Sequence, residues 1–205
     1  MTLAMQTNFI NALSLLIKRL SMSHLDGMLL EQGKTFQSGL TIYKKFSIKF
    51  EVLLTEFNNN RFSNIIHFTN GTSLKGKYGD RIPAVWSKGT GDPNYRQLYF
   101  AMALGQDENK VFSTVKSYSM HQWLCVEIRQ VLSNGKYMFE IAVDSEVVHS
   151  VENTNPVDFH NVTVYISNPN SNLQEGRIRN IKLMTGNYNE LHLYHIHFKY
   201  RLLLN

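Results

Sequence analysis

Cysteine is nearly absent from this sequence: of 205 residues, only Cys125 carries a thiol. A single cysteine excludes an intrachain disulfide and any thiolate metal cluster. Proline is scarce as well, at 4 residues, and charged side chains make up only 18% of the chain. With 43% hydrophobic residues, that composition excludes a disordered chain, which needs little apolar content and much net charge. No stretch reaches the roughly 20 consecutive apolar residues of a membrane-spanning helix, so no membrane insertion is expected. No glycine-rich loop leads into a helix, so nucleotide binding has no support. The net charge of +5 comes from lysines and arginines scattered along the chain. Without a compact basic patch interleaved with stacking rings, that charge reads as a mildly basic soluble surface, not as a nucleic-acid site.

What the chain does have is alternation. Aromatics reach 12%, with 10 Tyr and 12 Phe, a balance that favours strands. From Trp123, the residues Leu124, Val126 and Ile128 alternate with Cys125, Glu127 and Arg129. After Ser133-Asn134-Gly135, a second run places Tyr137, Phe139, Ile141 and Val143 at every other position, until Asp144-Ser145 interrupts it. Period-two alternation broken by Asn-Gly and Asp-Ser predicts antiparallel strands joined by tight turns. The same grammar predicts strands at Met28–Glu31, 46–55, 65–68, 82–87, 98–104, 111–115 and 162–167. The run Ile178, Ile181, Leu183 changes phase near Arg179-Asn180, which predicts a β-bulge in the last strand. Gly33 and Gln37-Ser38-Gly39 read as turns.

This grammar sets the boundaries. Residues 28–187 read as one β-domain, a size that buries a sizeable core. Residues 1–27 read as an extension, with a short amphipathic helix over Asn8–Leu20 as the alternative. That stretch makes no usable signal peptide, because Lys18 and Arg19 follow its apolar part instead of preceding it. Residues 188–205 read as a second extension outside the domain.

Few residues qualify for chemistry. Glu140, Asp144 and Glu146 would share a face if one strand ran straight through them, the arrangement of a carboxylate pair in a glycosidase. The turn at Asp144-Ser145 splits them. His195 and His197 share a strand phase and His192 does not, so a histidine-containing tail is the better reading than a metal site. His67, His121, His149 and His160 stand singly and read as surface or boundary residues. Cys125, mid-strand, reads as an inert buried thiol. The interval from Asn70 to Tyr95 is irregular and rich in glycine and charge, and loops on a rigid β-scaffold commonly carry binding residues. Its candidates for ligand contact are Asp80, Arg81, Trp86, Asn94 and Tyr95. An exposed ring stacks on a sugar face, while an acid, an amide and a guanidinium supply directional hydrogen bonds. Trp86 reads equally well as a core residue. Asn70-Gly71-Thr72 and Asn161-Val162-Thr163 are glycosylation sequons for a chain that enters a secretory pathway.

Several of these segments carry a family resemblance. Trp123 with Val126 and Ile128, followed by Tyr137-x-Phe139-x-Ile141-x-Val143-Asp144, resembles the central hairpins of concanavalin A-like lectin/glucanase domains, the laminin-G-like group included. Gly79-Asp80-Arg81-Ile82-Pro83-Ala84-Val85-Trp86 resembles a segment of lectin-like extracellular modules of invertebrate animals. Phe159 to Pro169 and Gly176 to Ile181 are similar to the closing strands of those modules. The resemblance covers about Met28 to Asn187. It implies an all-β jelly-roll sandwich of two antiparallel sheets, used as an extracellular or secreted recognition module, often for sugars. The departures are specific. The calcium and manganese ligands of legume lectins have no counterpart here, so no cofactor or metal is expected. The galectin pattern of His, Asn and Arg on one strand is missing too. In the jelly-roll laminarinases, two acids stand two residues apart at the start of the motif, and here Ala142 takes that place. The expected function is therefore a non-catalytic module whose partner is a glycan or an extracellular protein. The alternatives are an adhesive protein-interaction domain without a sugar site and, less favoured, a jelly-roll glycoside hydrolase.

Overall fold

A computed structural model describes residues 27–55, 61–71, 76–187 and 190–195. The N-terminal segment with its expected extension and helix, and His197, lie outside the described residues.

Every regular element among the described residues is a β-strand, and the strands form two sheets. The seven-stranded sheet runs β1 (Met28–Leu29), β14 (Gly176–Asn187), β3 (Phe46–Leu54), β9 (Trp123–Ser133), β10 (Lys136–Val143) and β11 (Glu146–Glu152), with β15 (Glu190–His195) on β14. The eight-stranded sheet runs β2 (Lys34–Ile42), β12 (Phe159–Ile166), β4 (Phe62–Thr69), β5 (Ala84–Gly89), β6 (Tyr95–Leu104) and β7 (Asp107–Ser113). In that sheet β13 (Asn172–Leu173) lies on β4 and β8 (Tyr118–Ser119) on β6. β13 runs parallel to β4; the other pairings are antiparallel.

The hairpins form where the alternation predicts them, for a backbone reason. Asn134 and Gly135 have φ of 51° and 76°, and Asp144 and Ser145 have 50° and 69°. Two successive positive φ values define a turn whose twist matches that of its flanking strands. At the second turn the Asp144 carboxylate also accepts a hydrogen bond from the Cys125 amide at 2.8 Å. The alternation then places Ile48, Phe50, Val52, Val126, Ile128, Phe139 and Ile141 in one core, buried against Ile66, Phe68, Val85, Leu98, Phe100, Val164 and Ile166 of the other sheet. Full burial of such a side chain contributes about 1.5–3 kcal/mol, and a core this broad fixes the register of both sheets.

Three expectations change. Residues 34–42 form β2, which runs through the turn expected at Gln37-Ser38-Gly39, while Gly33 does turn, at φ 71°; the pairing of β2 with β12 shifts register at three places, so no clean alternation marks it. Cys125 is half-buried on the solvent side of its sheet, because the odd positions of β9 point away from the core, and burial still pushes its thiol pKa up. His67 is fully buried. β15, which contains His192 and His195, pairs with β14 in the seven-stranded sheet. The bulge near Arg179-Asn180 is present as a register shift between Arg179 and Lys182, with Asn180 at φ 53°.

Candidate functional site

The core takes one side of the eight-stranded sheet, and the other side collects rings and cations. In β6, Leu98, Phe100 and Met102 point inward, so Tyr95, Gln97, Tyr99 and Ala101 point outward. Register carries the phase across the sheet: Trp86 of β5 lies opposite Tyr99 of β6 and Asn64 of β4, and Lys88 lies opposite Gln97 and Phe62. Three strands thereby bring Phe62, Trp86 and Tyr99 onto one surface. Phe62 meets Tyr99 edge-on with centroids 4.7 Å apart, and the Lys88 ammonium sits 5.0 Å from the Phe62 centroid. The Tyr99 hydroxyl donates to Gln97 Oε1 at 2.9 Å. Phe62 and Tyr95 remain 46% and 42% exposed.

Arg81 closes the other end of this surface. Residues 81–83 are held between β4 and β6: the Ala103 amide donates to the Arg81 carbonyl at 2.8 Å, and the Ile82 amide donates to the Phe68 carbonyl at 2.9 Å. The guanidinium lies 4.6 Å from the Trp86 ring centroid, a cation–π distance. Its Nη1 donates to Asn109 Oδ1 of β7, while Nε is buried with no hydrogen-bond partner among the described residues. Burial lowers the Arg81 pKa, and the charge of Asp80 partly offsets that.

Beneath Arg81 is a buried polar relay. His67 Nε2 and the Asp80 carbonyl are 2.7 Å apart, and His67 Nδ1 and Asn168 Nδ2 are 3.1 Å apart. A carbonyl only accepts and an amide nitrogen only donates, so the ring is the neutral tautomer with its proton on Nε2. Burial, as the leading cause, lowers the His67 pKa from 6.5 to about 4. The backbone amide of Asn168 donates to Asn64 Oδ1 at 2.7 Å.

These contacts divide the five residues expected to touch a ligand. Arg81, Trp86 and Tyr95 share the outer surface, although Trp86 is only 8% exposed and acts mainly as the floor under Arg81. Asp80 is buried; its carboxylate accepts from the Lys77 amide at 2.9 Å and holds its own turn. Asn94 sits in the loop beyond β5, where its side chain and amide both donate to Asp92 Oδ1, at 3.1 and 2.8 Å. The sequence reading missed Phe62, Lys88, Gln97, Tyr99 and Asn109 as one surface. Its trace was the phase Tyr95, Gln97, Tyr99, opposite to Leu98, Phe100 and Met102.

Glu140, Asp144 and Glu146 are dispersed. Glu140 faces solvent on the seven-stranded sheet, where its carboxylate pairs with Arg129 at 2.7 Å. Asp144 caps the turn, and Glu146 begins β11 and pairs loosely with Lys116 at 3.7 Å. Both sequon asparagines, Asn70 and Asn161, are exposed.

No family model matches the sequence, and no curated protein matches it. Solved structures do. The heptameric SAP-like pentraxin from Limulus polyphemus is 10% identical, with 77% of this chain and 73% of the pentraxin covered at a TM-score of 0.50. The CBM40 of the Ruminococcus gnavus IT-sialidase is 10% identical over 80% of this chain and 90% of that one, at a TM-score of 0.45. An alginate lyase from Klebsiella pneumoniae is 10% identical over 69% and 60%, also at 0.45. The topology and the pentraxin likeness together define the fold as a concanavalin A-like jelly roll. That is the fold the hairpin motifs imply.

Proposed function

We propose that this chain is a non-catalytic extracellular recognition module that binds a glycan on the outer surface of the eight-stranded sheet. The observation that carries the reading is the row Phe62, Tyr99 and Trp86, contributed by three strands and edged by Lys88, Gln97 and Arg81. Rings offer flat apolar faces to the C–H side of a sugar, and amide and guanidinium groups bond its hydroxyls directionally. Placement on paired strands, instead of free loops, holds such a set ready before binding. The exposed Asn70 and Asn161 fit a chain that passes through a secretory pathway.

An oligosaccharide array followed by titration calorimetry tests this. Tyr99→Ala and Phe62→Ala are expected to weaken binding about tenfold each, the loss of roughly 1.4 kcal/mol of contact, with the fold intact by circular dichroism. An array without a hit defeats the reading. Release of shorter saccharides from a bound glycan would replace it with a hydrolase or lyase. The exposure of Val111, at 54%, beside this surface favours a protein partner as the second reading. Capture of a defined extracellular protein, lost on Val111→Lys but not on Tyr99→Ala, would support that one instead.

A further inference from the structure

Acidic side chains are segregated between the two sheets. In the seven-stranded sheet, Glu51, Glu127, Glu140, Glu146, Glu152 and Glu190 all lie within strands. In the eight-stranded sheet β2, β4, β5, β6, β8, β12 and β13 contain no Asp or Glu; only β7 carries them, as Asp107 and Glu108 at its first two positions. On the first surface two arginines are paired: Arg129 with Glu140 and Arg179 with Glu51, each at 2.7 Å. Among the described residues, Lys88 and Arg81 of the ring surface form no ion pair. Lys88 rests over Phe62, and Arg81 spans Trp86 with one hydrogen bond, to the neutral Asn109. The carboxylate of the adjacent Asp80 accepts from the Lys77 amide, and it forms no ion pair with Arg81.

A guanidinium half-removed from water with a buried, unbonded Nε has lost hydration that no protein carboxylate replaces. Among the described residues, Nη2 makes no hydrogen bond either. Both cations of this surface rest on rings, Arg81 on Trp86 and Lys88 on Phe62. Along β5, Lys88 stands two residues beyond Trp86, about 7 Å at the rise of a strand, so the two charges frame a surface of saccharide size. We infer that the glycan bound here is anionic, with a carboxylate or sulfate group placed against Arg81 or Lys88 and a sugar ring packed against the edge-on pair Phe62 and Tyr99. This rests on the glycan reading above and names the class of saccharide.

The test uses the full chain and three matched oligosaccharide probes: one with carboxylates, its carboxyl-reduced neutral counterpart with the same linkages, and a sulfated derivative of that neutral backbone. Calorimetry at two salt concentrations is expected to show at least tenfold tighter binding of an anionic probe than of the neutral one, with the difference shrinking at high salt. Comparing the carboxylated and sulfated probes tells which anion the site takes. Lys88→Gln and Arg81→Gln are expected to erase the preference for charge, whereas Lys182→Gln on the opposite sheet leaves it intact. Lys88 is a surface side chain, so its variant remains informative should Arg81→Gln unfold.

Equal binding of the neutral and anionic probes overturns this inference and leaves the glycan reading standing. Binding of none of the three, together with an empty array, removes both. A single-stranded oligonucleotide that binds as tightly as the acidic saccharide also overturns it, because the surface would then select charge and stacking alone.

Discussion

His67 sits where two loops and a strand meet, and its two ring nitrogens have opposite duties. Nε2 donates to the Asp80 carbonyl and Nδ1 accepts from the Asn168 amide. A second proton on Nδ1 would set a donor against a donor inside the protein, in addition to the charge buried away from water. Folding therefore lowers the His67 pKa, from 6.5 to about 4, and between those values the unfolded chain binds the proton that the folded one refuses. The sign follows: stability is full above about pH 7, falls as pH drops through 6.5 toward 4, and levels off below. The span allows up to about 3 kcal/mol from this one residue, at 1.36 kcal/mol per unit. Urea titrations across that range should show the fall, and His67→Gln should flatten it between pH 6.5 and 4. An unchanged slope in the variant would assign the acid sensitivity elsewhere. The relay also accounts for Asp80. In the sequence it resembles a ligand-binding acid beside Arg81, yet its carbonyl and carboxylate serve the turn that positions Arg81.

The strands divide into those that announce themselves and those that do not. β3, β9, β10 and β12 bury alternate positions against a single core, so the side-chain period is printed in the sequence. Phe50→Ala should cost about 3–5 kcal/mol by chemical denaturation, because its side chain is fully buried in the middle of β3. β2 hides because a strand that slips register against its neighbour three times changes which residues face inward. The ring surface hides for another reason. Each of Phe62, Trp86 and Tyr99 is an ordinary strand residue taken alone, and their meeting depends on two registers that no local pattern contains. Arg81 and Trp86 were legible because they fall in one recognisable segment; their partners were not. Turn chemistry, in contrast, is local and can be tested locally. Ser145 holds φ 69°, a conformation that glycine adopts without a Cβ penalty. Ser145→Gly should raise stability by about 0.5–1 kcal/mol, read as a higher denaturation midpoint with an unchanged slope. A loss of stability would mean that the Ser145 side chain serves the turn in a way its backbone does not reveal.

At the scale of the molecule, the two sequons converge. Thr163 of β12 lies opposite Thr69 of β4 in an antiparallel pair, so Asn161 and Asn70 come to the same end of adjacent strands. Phe62 begins β4, eight residues earlier, or roughly 26 Å away at the strand rise. Glycans on both asparagines would therefore shield one end of the eight-stranded sheet and leave Phe62, Lys88 and Tyr99 uncovered at the other. Arg81 lies toward the shielded end, because the Asn70 amide donates to the Gly79 carbonyl two residues before it. Expression through a secretory pathway should yield a chain heavier by two glycans, with Asn70→Gln and Asn161→Gln each removing one by mass. Enzymatic deglycosylation should leave contacts at Phe62 and Tyr99 unaffected and, if it changes affinity at all, strengthen the contact made by Arg81. Comparing the deglycosylated chain with Arg81→Gln separates the two ends: a gain on deglycosylation that persists in the variant cannot come from Arg81. A secreted chain carrying no glycan at either asparagine would defeat the extracellular reading of the sequons, whatever the outer surface binds.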